Sequence, residues 1–236
     1  QRLLDATVDR TGLPDAGTLR GTMVSGVTGN ITMLTNKALW QLAQAARAEP
    51  DVARAIQESP DALVMEVLAE LPGARAFRQA LEEFLRLHGH RETHMDVIAP
   101  SWADDPTLVL RFVRVYLSAP EAADPAQQER EAAERRRQAA ERVSSALERR
   151  PVDRLVTARV YRQALHASHA LAAERDSMHY HWTTAFPVLR RIFHEIGRRL
   201  VAAGQIDEPG DGYYLPLSEL ERIVRDGEPA QEAAAR

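Results

Sequence analysis

Cysteine is absent from the 236 residues, so disulfide scaffolds, thiolate zinc sites and cysteine nucleophiles are excluded. Aromatic residues are scarce, at 6% of the chain. No window approaches the roughly 18 consecutive apolar residues of a transmembrane helix, so we expect no membrane association. An excess of basic charge is also missing, because 30 basic and 34 acidic residues give a net charge of −4. This balance argues against a strongly basic nucleic-acid binder.

What the sequence does contain is typical of a globular protein, with 44% hydrophobic and 27% charged residues. The length is enough for one large domain or two small ones. The chain opens with Gln1 rather than Met, and its first residues lack the pattern of a signal peptide. We therefore expect a piece of a longer, cytoplasmic protein.

Ala, Leu, Arg and Glu dominate the composition, and these residues favour helices. No run of alternating β-branched residues occurs, so the sequence predicts an all-α, irregular multi-helix fold. Helices are expected at 31–48, after Ser59-Pro60, through 77–88, after Asp105-Pro106, at 127–150, within 153–203 and after Ser218. Loops are expected at 11–30 and 90–104, with short strand-like pieces at 22–27 and 213–215.

Two helical segments in the second half differ in pattern. Residues 127–150 are dense in charge, which favours a solvated helix face or a helical arm. Residues 153–203 carry a heptad-like apolar stripe that one long helix, or two in sequence, would bury. Pro187 predicts a kink in this segment.

The predicted organisation has three parts, listed in chain order: 1–118 is a helical half that lines a pocket, 119–222 is the charged arm with the long helix and a C-terminal cap, and 223–236 is a tail or linker.

Five of the eight histidines form two groups, His88, His90 and His94, and His179 and His181. A metal site built from imidazoles is one interpretation of these groups. The spacing speaks against it, because Gly89 predicts a helix end and residues two apart point to different faces of a helix. The pattern favours hydrogen-bonding histidines that line a cleft or an interface, and we expect no metal site.

Two further segments suggest ligand contacts. Arg91 can pair with Asp96, which is the favoured interpretation, or bind a phosphate or carboxylate through its planar guanidinium. The segment 23–33 precedes a helix N-terminus, and its Met and Val residues suit either an apolar pocket or the core. Phosphate-binding loops, nucleophile elbows, zinc-protease motifs and dinucleotide fingerprints are all missing from the sequence.

Four stretches together resemble the central domain of the phosphoenolpyruvate-utilising dikinases, in particular the rifampin phosphotransferase and phosphoenolpyruvate synthase-like group. They are residues 28–33 with 38–43, residues 84–91 with Asp96 and 100–106, residues 173–178, and residues 197–204 with 213–220. The second and fourth stretches are the most specific. The resemblance spans most of residues 20–222.

Members of this family have an ATP-grasp domain, a swivelling domain with a transiently phosphorylated His, and a helical domain that binds the acceptor in the antibiotic kinases. Only the helical domain resembles this chain. The resemblance implies part of an ATP-dependent phosphotransferase, a kinase that converts ATP and an organic acceptor into a phosphorylated product, AMP and phosphate. ATP and Mg are implied for the full enzyme and not for this chain. The partners implied are the small-molecule acceptor and the two other domains, in cis or as separate subunits.

The resemblance also implies where the acceptor pocket lies. One wall is expected from Met23, Val24, Val27, Met33 and Asn36, and the opposite wall from Arg175, Met178, His179 and Trp182, with Arg91 as a further substrate contact. His90 or His94 is expected to help deprotonate the acceptor hydroxyl.

Glu92, Thr93 and His94 stand where the family commonly has Gly or Pro, which argues against a rifamycin acceptor. The departure indicates either a different substrate, whose identity stays open, or a chain that has lost catalysis. The rival interpretation is a free-standing, non-catalytic helical binding or scaffold protein, with residues 127–150 as its partner surface.

Overall fold

The computed structural model describes residues 2–25, 31–91, 96–118, 124–149 and 156–226, and within these ranges it is helical and contains no strand. The predicted all-α fold is confirmed. The helices are α1 Arg2–Asp9, α2 Ala16–Val24, α3 Ile31–Arg47, α4 Pro50–Glu58, α5 Asp61–Glu70, α6 Arg75–His88, α7 Thr107–Ser118, α8 Pro125–Glu148, α9 Val156–Thr183, α10 Phe186–Ala202 and α11 Leu217–Asp226. Two 3₁₀ helices, Pro72–Ala74 and Pro209–Tyr214, complete the described elements.

The chain divides into two compact units. The first contains Gln1–Phe84 and Thr107–Tyr180, and the second contains Leu85–Pro106 and His181–Arg236. Among the described helices, none is both long and apolar enough to cross a bilayer. The three functional parts predicted from the sequence stay a prediction.

The N-terminal region is more helical than the sequence analysis predicted. Helix α2 occupies Ala16–Val24, where we expected a loop and the start of a strand-like piece. Leu19 and Met23, one turn apart, are buried in the core of the first unit. Tertiary packing therefore overrides the weak helix propensity of the Gly and Thr residues in this segment. Helices α1 and α4 were not predicted either.

Helix α8 is not simply a solvated arm. Ala139, Val143 and Leu147 recur at helical spacing and are buried in the core of the first unit. On the opposite face, Arg137 pairs with Glu134 and Glu141 within the helix. The predicted charged helix is present, but it also has a narrow apolar stripe that packs on α2.

The segment 153–203 forms two helices in sequence rather than one kinked helix. Helix α9 ends at Thr183, and Pro187 lies in the first turn of α10, where its missing N–H needs no partner. Burial of the whole apolar stripe was predicted wrongly. Leu171, Met178 and Trp182 are 69%, 65% and 66% exposed.

One arginine joins three elements of the first unit. The Arg114 guanidinium donates hydrogen bonds to the carbonyl oxygens of Ile56, 2.8 Å away, and Ser59, 3.1 Å away. It also donates to the Asp61 carboxylate at 2.9 Å. Arg114 thus satisfies carbonyl groups at the end of α4 while it fixes the start of α5.

Hydrogen bonds from Arg114, and then from Arg111, hold the pKa of the Asp61 carboxyl below its usual value. A carboxyl with a lowered pKa stabilises the fold fully above its unfolded pKa of about 4, and this stabilisation is lost as the pH falls through the folded pKa.

We therefore predict that Arg114→Ala lowers the free energy of unfolding by about 1.5–3 kcal/mol at pH 7, because charged hydrogen bonds to partly buried carbonyls are lost. The loss should shrink as the pH falls below about 4, through the lowered pKa of Asp61 in the folded state. Urea unfolding at a series of pH values from 7 downwards measures this. The matched control is Arg111→Ala, which removes an exposed ion pair to Asp61 and should cost less than about 1 kcal/mol. Equal losses for the two variants would contradict the bridging role of Arg114.

The core of the second unit joins α10 to the segment that follows it. It contains Leu200, Ile206, Leu215, Leu220 and Ile223. Gly197 in α10 lies directly against the backbone of Pro209, and a Cβ at this position would overlap the Pro209 carbonyl oxygen. Glycine is therefore required here by a close backbone approach and not by its backbone angles.

We predict that Gly197→Ala lowers the free energy of unfolding of the second unit by about 1–3 kcal/mol, although alanine is the better helix former. Urea unfolding or hydrogen exchange of α10 measures the change. Gly210→Ala is the matched control, since nothing lies within 4 Å of a Cβ there. A neutral or stabilising Gly197→Ala would show that the 3₁₀ helix moves away at no cost.

Candidate functional site

The first unit contains a cleft of about 340 Å³ between α2 and α9. It is lined by Val24, Ser168, Leu171, Ala172 and Arg175. Val24 and Arg175 belong to the two walls that the resemblance predicted, and the structure places both on this cleft. Ser168, Leu171 and Ala172 were not predicted. Their signal was available in the sequence, because positions 168, 171, 172 and 175 follow the spacing of one helix face.

The cleft is apolar on most of its lining and carries one cation. Leu171 and Ala172 offer aliphatic surface, and Ser168 offers a hydroxyl group. Among the residues that the structure describes, no carboxylate or carbonyl pairs with the Arg175 guanidinium. An apolar lining with a few polar groups is the usual composition of a small-molecule site, and a guanidinium suits a carboxylate or phosphate.

Two side chains of helix α9 contact the predicted N-terminal wall, one at Met23 and one at Thr32. The His169 ring Nε2 lies 2.7 Å from the carbonyl oxygen of Met23. Seven residues later, the Asp176 carboxylate accepts hydrogen bonds from Thr32, 3.0 Å to the backbone N–H and 2.6 Å to the hydroxyl. From α8, Arg136 donates to the carbonyl oxygen of Ser25 at 3.2 Å. These contacts fix the described residues around the cleft.

The Met23 side chain lies in the core and not on the cleft. It is 0% exposed and packs with residues of α1, α2, α8 and α9. The Tyr161 hydroxyl donates to the Met23 sulfur at 3.0 Å and to the Ala140 carbonyl oxygen at 3.3 Å. Burial raises the pKa of Tyr161 to about 12, so this hydroxyl stays protonated as a donor. Of the two interpretations of Met23, core and pocket, the geometry favours core.

The other predicted wall residues of the first unit are close in sequence to the residues that line the cleft, but they are not part of its lining. Met33 and Asn36 are half-buried on α3, and on α9 Met178 is exposed while His179 is half-buried. Val27 and His94 lie outside the described residues.

His90, Arg91 and Trp182 belong to the second unit. The Arg91 guanidinium lies over the Trp102 ring, 5.5 Å from its centre. The backbone N–H of Trp102 donates to the carbonyl oxygen of Arg91 at 2.8 Å. Burial, together with the nearby Arg91 charge, lowers the pKa of His88. Asp96 accepts a hydrogen bond from the Ile98 N–H at 2.9 Å. The described part of this loop is thus ordered by backbone and ring contacts around Trp102.

Within the described ranges, no three His, Asp or Glu side chains are grouped so that they could hold a metal ion. Independently of that, the lining of the cleft offers apolar surface, one hydroxyl group and one guanidinium to a ligand.

The position of Met23 gives a test that uses two methionines of the first unit. We predict that Met23→Ala lowers the free energy of unfolding by about 2–5 kcal/mol, because it opens a cavity in the core. Met178→Ala, at an exposed position, should change it by less than about 0.5 kcal/mol. Thermal or urea unfolding measures both. A neutral Met23→Ala would instead favour a pocket role for this side chain.

Comparison with known proteins supports one family. The family described as the rifampicin phosphotransferase fourth domain matches residues 2–176, which include the whole lining of the cleft. A rifampicin phosphotransferase of Bacillus subtilis is 25% identical over 205 residues, which are 86% of this chain and 24% of that protein. An uncharacterized protein of Mycobacterium tuberculosis is 31% identical over 191 residues, 80% of this chain and 19% of that protein.

A chondramide synthase of Chondromyces crocatus is 35% identical over a shorter stretch of 92 residues, which is 39% of this chain and 2% of that protein. The chain thus spans a quarter or less of the length of these relatives. The family match covers most of the chain and agrees with the all-α fold and with the earlier resemblance. The chain belongs to the family described as the rifampicin phosphotransferase fourth domain, which is a domain of dikinase-type phosphotransferases.

Proposed function

We propose that this chain is the acceptor-binding domain of an ATP-dependent, dikinase-type phosphotransferase. The observation that carries the proposal is the cleft in which Val24 and Arg175 meet, since it lies within the region that the family match covers. The names of the relatives that are rifampicin phosphotransferases support phosphoryl transfer to a small organic molecule.

In the proposed reaction, ATP, water and the acceptor yield the phosphorylated acceptor, AMP and phosphate. The phosphoryl group travels on a histidine of another domain, in cis or on a separate subunit, and ATP with Mg binds outside this chain. The place of the reaction is the cytoplasm. This chain supplies orientation of the acceptor and exclusion of water, two effects that lower the barrier without a covalent step.

The lining of the cleft suggests how an acceptor is held. Val24, Leu171 and Ala172 would contact its apolar body, and Ser168 would accept or donate one hydrogen bond. The Arg175 guanidinium would pair with an anionic or strongly hydrogen-bond-accepting group of the acceptor, or with the phosphoryl group as it arrives. Met33, Asn36, Met178 and His179 are further proposed acceptor contacts on the helices of the first unit. Arg91 and Trp182 of the second unit, and Val27, stay substrate contacts that only the resemblance predicts.

The proposed proton acceptor is His90 or His94. Removal of a proton from the acceptor hydroxyl raises its nucleophilicity, and imidazole is the side chain suited to this at neutral pH. His90→Ala or His94→Ala should then lower the turnover number of the intact enzyme, with little change in the KM of ATP. Unchanged turnover in both variants would remove the histidines from the mechanism.

The free-standing scaffold remains the rival function. Its proposed partner surface, the charged face of α8, is occupied by charges that pair with each other, as Arg137 does with Glu134 and Glu141. Such pairs leave less unbalanced charge for a partner. The structure therefore offers more support to the cleft than to this surface.

We predict that Arg175→Ala raises the acceptor KM of the complete enzyme about tenfold, which corresponds to about 1.4 kcal/mol of lost binding. The assay is acceptor-dependent release of AMP, with rifampicin as the first probe and a panel of hydroxyl- and carboxylate-bearing small molecules beside it. Arg162→Ala, an exposed arginine of the same helix outside the cleft, is the matched control and should stay within about twofold.

Equal effects of the two arginine variants would contradict the assignment of the cleft. Absence of acceptor-dependent AMP release across the whole panel, in an enzyme that still forms phosphohistidine from ATP, would contradict the proposed function.

A further inference from the structure

The Asp176 carboxylate makes an unusually direct link between distant parts of the first unit. Both of its oxygens accept hydrogen bonds from one residue, Thr32, which is 144 positions away in the sequence. The contact joins α9 to the first turn of α3 and is partly buried. The contact affects both helices, because it caps the start of α3 and fixes α3 against α9.

On α3 the carboxylate acts as a helix cap supplied from another helix. The first N–H groups of a helix have no partner within it, and Thr32 is the second residue of α3. The positive end of the helix dipole also favours a negative charge at this place. The contact therefore stabilises the start of α3 and fixes its position against α9.

On α9 the carboxylate shares one face with His169. The two residues are seven apart, which is close to two full turns. His169 contacts the Met23 carbonyl oxygen, and Asp176 contacts Thr32. One face of α9 thus holds the chain on both sides of the residues that precede α3. Arg175 is rotated from Asp176 by about 100° around the helix, and it lies on the cleft.

We propose that Asp176 is a positioning residue for the acceptor cleft. Together with His169 it holds Met23 and Thr32 on α9, and this sets Val24 opposite Arg175. The inference rests on the proposed acceptor-binding function. Asp176 contacts the protein and not the acceptor, so it acts through the placement of the residues that line the cleft.

The experiment compares Asp176→Asn with Glu174→Gln in the complete enzyme. Asparagine keeps the size of the side chain but removes the charge and one acceptor oxygen, whereas Glu174 is exposed two residues away and serves as the matched control. We expect faster hydrogen exchange of the first-turn amides of α3 in Asp176→Asn, by about tenfold, with exchange of α7 and α8 unchanged. Glu174→Gln should leave all of these rates unchanged.

The kinetic arm separates positioning from a purely structural role. In Asp176→Asn the acceptor KM should rise several-fold, while the rate of phosphohistidine formation from ATP stays at the wild-type value. Thr32→Ser keeps both donors to the carboxylate and should retain the wild-type KM, whereas Thr32→Val removes the hydroxyl donor and should raise it.

Two results would overturn the inference. One is an unchanged acceptor KM in Asp176→Asn, and the other is faster exchange throughout the first unit, which would show a general loss of stability. Either result, in an enzyme whose wild type still phosphorylates an acceptor, leaves the proposed function intact. A wild type that phosphorylates no acceptor of the panel overturns the proposed function, and the positioning role falls with it.

Discussion

The contact between the His169 ring and the Met23 carbonyl oxygen ties together the core and the cleft of the first unit. Met23 directs its side chain into the core, where Tyr161 donates to its sulfur, while its carbonyl oxygen is held by α9. The next residue, Val24, then faces the cleft. Met23 packs in the core and the adjacent Val24 lines the cleft. A shift of Met23 therefore moves Val24, because one peptide unit joins them.

Much of the helical fold could be predicted from the sequence because its signals are local. Helix α6 begins near Phe77 and ends beside Gly89, and α7 follows Asp105-Pro106, as the apolar spacing and the turn residues indicate. Helix α2 could not be predicted in this way, because its stability comes from Leu19 and Met23 packing on α8. The exposure of Leu171 could not be predicted from local sequence either. Helical periodicity shows that an apolar stripe exists but not whether another element covers it.

Of the pocket walls that the resemblance implies, Val24 and Arg175 line the cleft, and the binding role of all the wall residues stays a prediction. The sequence pattern alone could not separate the core position of the Met23 side chain from a pocket position. The cap of α3 shows the limit of sequence reasoning most clearly. Capping signals in a sequence are read from residues next to the helix, whereas the Thr32 N–H donates to Asp176, 144 residues away. No spacing rule reaches that far.

The backbone contact between Gly197 and Pro209 also has an evolutionary consequence. A related chain that carries a side chain at the position of Gly197 must hold its following 3₁₀ turn farther from the helix, because two backbones and a methyl group cannot share the space. The identity of this one residue therefore decides whether the backbone of the turn can contact the backbone of the helix.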